Sequence, residues 1–280
     1  MSFGAEESLV DSIPLRAGLG WARRLGRGVL SALSTARGLG AFFLITLGVG
    51  LTKRQVARTL VGPMARREMV RVGVKLLPMV AFMSMGLGFL VIGQTITLLT
   101  KVGAQDLMGS VMVAAVVREL GPAVTALLML SKVGTAAVVE LGTARALGEV
   151  EALEALGVDP VHFLVIPRVL GMALSNFALT IYCLLMTLAG GYLIAFIQNV
   201  PLTPASYLAQ LAKALSPADF LLVTLKTLAF GGVIAMTCCY EGLARPLSLP
   251  EVSEATTRAV MNSVVLCVLI DAVFLIQLLL

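Results

Sequence analysis

Two stretches of this chain limit its possible folds more than anything else in it. From Leu76 to Thr100 run 25 residues without a charge, and from Val169 to Ile197 run another 29. A helix rises about 1.5 Å per residue, so roughly 20 apolar residues cross a hydrocarbon layer about 30 Å thick. Three further runs read the same way with few interruptions. Leu107 to Val139 is broken by Arg118, Glu119 and Lys132, Phe220 to Tyr240 by Lys226 alone, and Ala259 to Leu280 by Asp271 alone. The expected fold is an all-α integral membrane protein. About five transmembrane helices are expected, near 76–100, 107–139, 169–197, 218–240 and 259–280.

Composition agrees, with 58% hydrophobic residues and 13% charged ones, where a soluble domain has about half and a quarter. The net charge of +5 is concentrated: between Arg16 and Lys75 the one acid is Glu68. Beside a membrane such a basic arm meets anionic headgroups rather than nucleic acid. Leu15, Leu19, Trp21, Leu25, Val29 and Leu33 interleave with its basic residues, so 1–63 reads as interfacial amphipathic helices. The apolar segment 38–52 is too short to cross comfortably; lying in the interface and spanning both stay open. The start, with Glu6, Glu7 and Asp11, does not read as a cleavable leader.

The positive-inside rule keeps that arm in the cytoplasm. Five crossings then put the loops at 140–168 and 241–258 inside, those at 101–106 and 198–218 outside, and the carboxyl terminus outside. Cys183, Cys238, Cys239 and Cys267 lie in apolar stretches without metal-ligand spacing, so no metal site is expected. The vicinal pair Cys238-Cys239 has no evident purpose. There is no phosphate-binding loop, no nucleophile set, and one histidine, His162, in an inner loop. The chain is not expected to be an enzyme.

Four charges inside spans, Arg118, Glu119, Lys226 and Asp271, are each costly in hydrocarbon, by at least about 2.5 kcal/mol on insertion scales. They sum to zero, so pairing across helices is expected. An internal staple and a polar cluster that switches during transport remain equally open. Beside them Gly121 and Pro122 should bend the helix, since proline frees a carbonyl one turn earlier. Gly86, Gly88 and Gly93, with Gly190 and Gly191, permit close helix contact. Between the second and third spans, 143–157 reads as one short acidic amphipathic helix. It carries Leu147, Val150 and Leu153 at helical spacing with Glu149, Glu151 and Glu154; Gly157 stops it and Pro160 bars continuation. Physics alone favours an ordinary surface helix there.

Several ordered motifs carry a resemblance. Arg118-Glu119-Leu120-Gly121-Pro122, Glu140-Leu141-Gly142-Thr143, the run Glu151 to Pro160, Pro167-Arg168 and Ala255-Thr256-Thr257-Arg258-Ala259-Val260 are similar to the signature of MlaE-type (YrbE-like) permeases. The likeness covers about 65–280, making 64–280 the permease domain and leaving the basic arm outside it. It implies a homodimer in the bacterial inner membrane, at the centre of an ABC transporter. Such a complex moves phospholipid between that membrane and a periplasmic MCE carrier and maintains outer-membrane lipid asymmetry.

The resemblance also implies partners: an MlaF-like ATPase that binds ATP and magnesium in place of this chain, an MlaD-like MCE protein, and in some systems an MlaB-like STAS protein. The 143–157 segment then becomes the coupling helix inserted into the ATPase. The outer half of the first span, Val91, Gln94, Leu98 and Leu99, becomes the lipid-binding wall. Arg118, Glu119, Lys226 and Asp271 coincide with charged positions typical of the family. An ion-coupled secondary transporter and a non-transporting membrane scaffold are the alternatives.

Overall fold

The computed structural model describes residues 37–44, 46, 48, 62–104, 107–198, 203–243 and 248–279. Among the described residues there is helix and connecting turn, and no strand. Five helices have the length and apolarity to cross a membrane. We label α1 Gly62–Val102, α2 Met108–Ala146, α3 Glu149–Ala155, α4 Val161–Ile197, α5 Pro204–Ala214, α6 Pro217–Leu243 and α7 Glu251–Leu279. The chain is a multi-pass membrane protein. Most of the arm expected over 1–63 lies outside the described residues, apart from a helical stretch at 37–44 in a separate unit, Met1–Ile45.

Within the second unit, α4 and α6 form the centre, with α1 laid along α4 and α7 against α6 and α2. Burial follows this order. Half of the apolar window of α2 and of α6 is buried, against only 11% for α7. The uncovered faces are apolar, as a bilayer requires.

The spanning helices run past their uncharged cores. α1 begins at Gly62 and carries Arg66, Arg67, Glu68, Arg71 and Lys75 before the apolar run. α7 begins at Glu251, so the 255–260 motif sits inside a helix. Intrahelical bonding supplies the reason: charged residues at a helix end reach water while the backbone continues its ladder.

The crossing of α1 on α4 depends on small residues. Ala65, Val72, Leu76, Val80, Ser84, Gly88, Ile92 and Ile96 form one buried stripe. A side chain at Gly88 would strike the Thr187 carbonyl, and one at Gly191 would strike Ile92. Gly86, grouped with them in the sequence, has nothing within 4 Å. The reason is phase: Gly86 lies off the stripe that faces α4. We expect Gly88→Leu to lower the thermal midpoint in detergent, costing at least about 1–3 kcal/mol. Gly86→Leu should leave it unchanged, and equal midpoints for the two would refute this packing.

Two segments differ from expectation. The 198–218 connection contains α5, capped at Thr203, whose side chain accepts from the Ser206 amide at 3.2 Å, with Pro204 next. That cap and proline were the readable signal. Tyr207 of α5 is buried and donates to the Leu188 carbonyl at 3.2 Å; burial pushes its hydroxyl up to about 12, so it stays a donor. The 143–157 segment is two pieces. α2 continues to Ala146, Gly148 turns the chain at φ 77°, and α3 occupies Glu149–Ala155. Glycine has no Cβ to oppose that turn.

Candidate functional site

The intramembrane charges converge where α2, α6 and α7 meet. Lys226 on α6 is fully buried. Its Nζ lies 2.8 Å from Glu119 Oε2 on α2 and 2.6 Å from Asp271 Oδ1 on α7. It also donates to the Arg118 carbonyl at 3.0 Å. That carbonyl is four residues before Pro122, whose missing N–H frees it. Here the backbone effect of proline and the charge cluster are one device. The buried ammonium needs three acceptors, and the proline supplies one.

Around Pro122 the helix stays continuous, with widened i→i+5 turns over Val113–Leu120 and again over Leu130–Gly134. Widened turns of this kind re-space side chains without breaking the ladder.

Arg118 belongs elsewhere. Its Nε lies 2.8 Å from Asp219 Oδ1, and Nη2 donates to Oδ2 at 3.3 Å, a two-pronged pair. The zero-sum group of four is therefore corrected: Lys226 faces two carboxylates, and Arg118 pairs with a fifth charge. Asp219 lies just before the apolar run that marked the span. Its signal was the capping box Ser216-Pro217-Ala218-Asp219; Asp219 Oδ2 accepts from the Ser216 amide at 2.9 Å. A hydroxyl and amide thread runs alongside. Thr125 and Thr180 share a hydrogen bond of 2.7 Å, Thr180 donates to the Asn176 carbonyl, and the Asn176 amide donates to the Thr227 carbonyl at 2.9 Å.

A second ionic assembly joins α1, α2 and α4 near the helix ends beside α3. Arg168 Nη2 reaches Glu140 Oε2 at 2.9 Å, its Nε lies 3.8 Å from Glu68 Oε1, and Arg71 lies 3.8 Å from Glu140 Oε1. On α6 and α7, buried Glu241 meets Arg258 at 3.4 Å and accepts from Asn262 at 3.0 Å. Reading each helix alone gives no hint of these pairs, because the partners are distant in sequence. Cys238 and Cys239 are fully buried free thiols, and Cys238 Sγ lies 3.1 Å from where a Cβ on Gly134 would stand.

The α3 region presents acid outward and apolar surface on both sides. Glu149, Glu151 and Glu154 are exposed, Leu147 and Leu156 are exposed, and Leu153 is half-buried. Val150 is buried against the bundle. Arg145 reaches Glu151 at 3.4 Å across the Gly148 turn. Gly157, at φ 75°, closes α3: its amide bonds to the Glu154 carbonyl and the Val158 amide to the Leu153 carbonyl. The helix is short, clamped and exposed.

Along 91–99 of α1, Gln94 and Leu98 are exposed, while Val91 and Leu99 pack onto the apolar core formed with Met112, Val116 and Tyr207. The open apolar face of α1 extends further than the expected wall: Phe82 is 80% exposed and Leu90 67%.

With this geometry in place, the comparisons with known proteins are specific. The family model described as Permease MlaE matches residues 65–277. A probable ABC transporter permease protein of Rickettsia prowazekii is 30% identical over 200 residues, 71% of this chain and 77% of that protein. A probable ABC transporter permease protein of Synechocystis is 34% identical over 173 residues, 62% of this chain and 65% of that protein. The chloroplastic protein trigalactosyldiacylglycerol 1 of Arabidopsis thaliana is 28% identical over 200 residues, 71% of this chain and 57% of that protein.

Proposed function

The chain belongs to the MlaE permease family and is the permease subunit of an ABC transporter; from that premise we propose that its cargo is phospholipid. It moves between the bacterial inner membrane and a periplasmic MCE-domain carrier, and the traffic maintains outer-membrane lipid asymmetry. The observation that carries the reading is the uncovered outer half of α1. Leu90 and Leu98 stand open in a single chain, and no charge accompanies them before Lys101. A second copy facing this surface encloses a greasy slot suited to acyl chains, which contribute about 0.8 kcal/mol per buried methylene. One relative is named for a glycosyl diacylglycerol, and a diacylglycerol lipid is the cargo class proposed here.

The working unit is then a homodimer. An MlaF-like ATPase pair docks on α3 from the cytoplasm and holds the ATP and magnesium. An MlaD-like ring sits above, and an MlaB-like STAS subunit attaches to the ATPase where the system has one. In this reading the basic flank keeps the amino terminus in the cytoplasm, and an odd number of crossings then leaves the carboxyl terminus in the periplasm.

The test is reconstitution. Proteoliposomes containing this chain with its ATPase and ring protein should transfer labelled phospholipid only when ATP is hydrolysed. Transfer that proceeds unchanged without ATP, or no transfer by a fully assembled complex, overturns the reading.

A further inference from the structure

A groove between α1 and α2 holds two cations that the bundle does not neutralise. It is lined by Arg71 and Lys75 of α1 and Lys132 of α2, with Glu68 and Glu140 at its rim and Ala136 in its wall. The two acids are already engaged, both by Arg168 and by Arg71. Among the described residues, neither Lys75 nor Lys132 has a carboxylate within ion-pair distance. Counting Arg168, four cations face two anions there.

Position makes the imbalance informative. Lys132 interrupts an otherwise apolar stretch of α2 and lies eight residues from Glu140, about 12 Å along the helix. Lys75 lies seven residues from Glu68, about 10 Å along α1. Both ammoniums are therefore rooted about two turns deeper than the acids, where a cation without an anion is costly. Their stems can reach back toward the headgroup layer. The face of α1 beyond them is apolar: Phe82, seven residues after Lys75, lies on the same face and is 80% exposed.

We propose that this groove binds the phosphate of a membrane phospholipid, with Lys75 and Lys132 on the phosphate and the acyl chains along the α1 face past Phe82. The site rests on the phospholipid reading above and adds to it a headgroup position on the cytoplasmic side of the bundle, distinct from the slot between copies.

The experiment measures lipid bound to the full chain in detergent, without nucleotide, using dioctanoyl phosphatidylglycerol as the probe. The variant Lys75→Gln with Lys132→Gln should bind it roughly thirtyfold more weakly, about the effect of two basic residues at a membrane surface. Binding of the matching diacylglycerol, which has no phosphate, should not change. Lys75→Arg with Lys132→Arg should retain phosphatidylglycerol. Undiminished binding by the glutamine variant overturns the site. Competition by inorganic phosphate at the concentration that suffices for the lipid overturns the lipid as the source of the phosphate. A fall in binding that accompanies dissociation of the chain into monomers shows the lysines holding a second copy, and also overturns it. Because bound lipid is counted without ATP, failure of the reconstituted complex to transport leaves this measurement readable.

Discussion

Replacing Lys226 with methionine is expected to deplete folded protein from the membrane, the largest effect of any single change in the bundle. The side chain is fully buried between Glu119 and Asp271 on two other helices. Removing it leaves two carboxylates facing each other in apolar surroundings, with the Arg118 carbonyl again unpaired. Deleting one member of a buried ion pair costs about 3–5 kcal/mol, and here two partners are stranded. That approaches the whole stability of many domains. The reading is the monodisperse fraction after solubilisation, which should collapse.

The triple change Lys226→Met, Glu119→Gln and Asp271→Asn separates the two roles left open for the cluster. Without net charge to bury, it should recover the monodisperse fraction. If it also recovers ATP-driven lipid transfer, the cluster is a staple and nothing more. If it assembles but fails to transfer lipid, the charges take part in the working cycle. Wild-type yield of Lys226→Met alone would contradict the geometry.

The second large effect concerns α3. Glu154→Arg together with Leu156→Arg should abolish co-purification of the ATPase while leaving the chain's own yield and elution unchanged. Both side chains are exposed, so the fold loses little. A protein partner would lose an acidic contact and an apolar anchor and gain two unmatched positive charges. Hot-spot losses at the centre of an interface reach about 2 kcal/mol each, and two together lower affinity on the order of a thousandfold. Val150→Ala is the control. Val150 is buried, so its truncation should lower thermal stability and weaken docking only through the helix's position. An ATPase that still co-purifies with the double arginine variant removes α3 from the coupling role.

Much of this was legible in one dimension. Charge-free runs of 25 and 29 residues can be satisfied only as helices in lipid, because no water is present to take backbone groups. The capping chemistry at Thr203-Pro204 and Ser216-Pro217-Ala218-Asp219 is written locally too, but a reading by hydropathy passes over it. The 143–157 segment shows where reading stops. Its apolar spacing is helical on both sides of Gly148, and periodicity does not reveal that a glycine will take φ 77° and divide it. Gly86 and Gly88 are two residues apart and alike in sequence, yet one faces Thr187 and the other faces nothing.

What the amino-acid order determined was the solvent. Apolar runs, a basic flank and four costly charges required a helical bundle in a membrane, with those charges turned inward. What the tertiary structure decided was the pairing. Lys226 could have met any acid; it met Glu119 and Asp271, while Arg118 went to Asp219 at the mouth of another helix. The physical reason is one of range. Hydropathy and capping act within a few residues and are written locally, whereas an ion pair across helices depends on rotation and depth. Those are set by close contacts between helices, such as Gly231 of α6 on Ala173 of α4, Gly242 of α6 on Leu141 of α2 and Gly121 of α2 on Leu184 of α4.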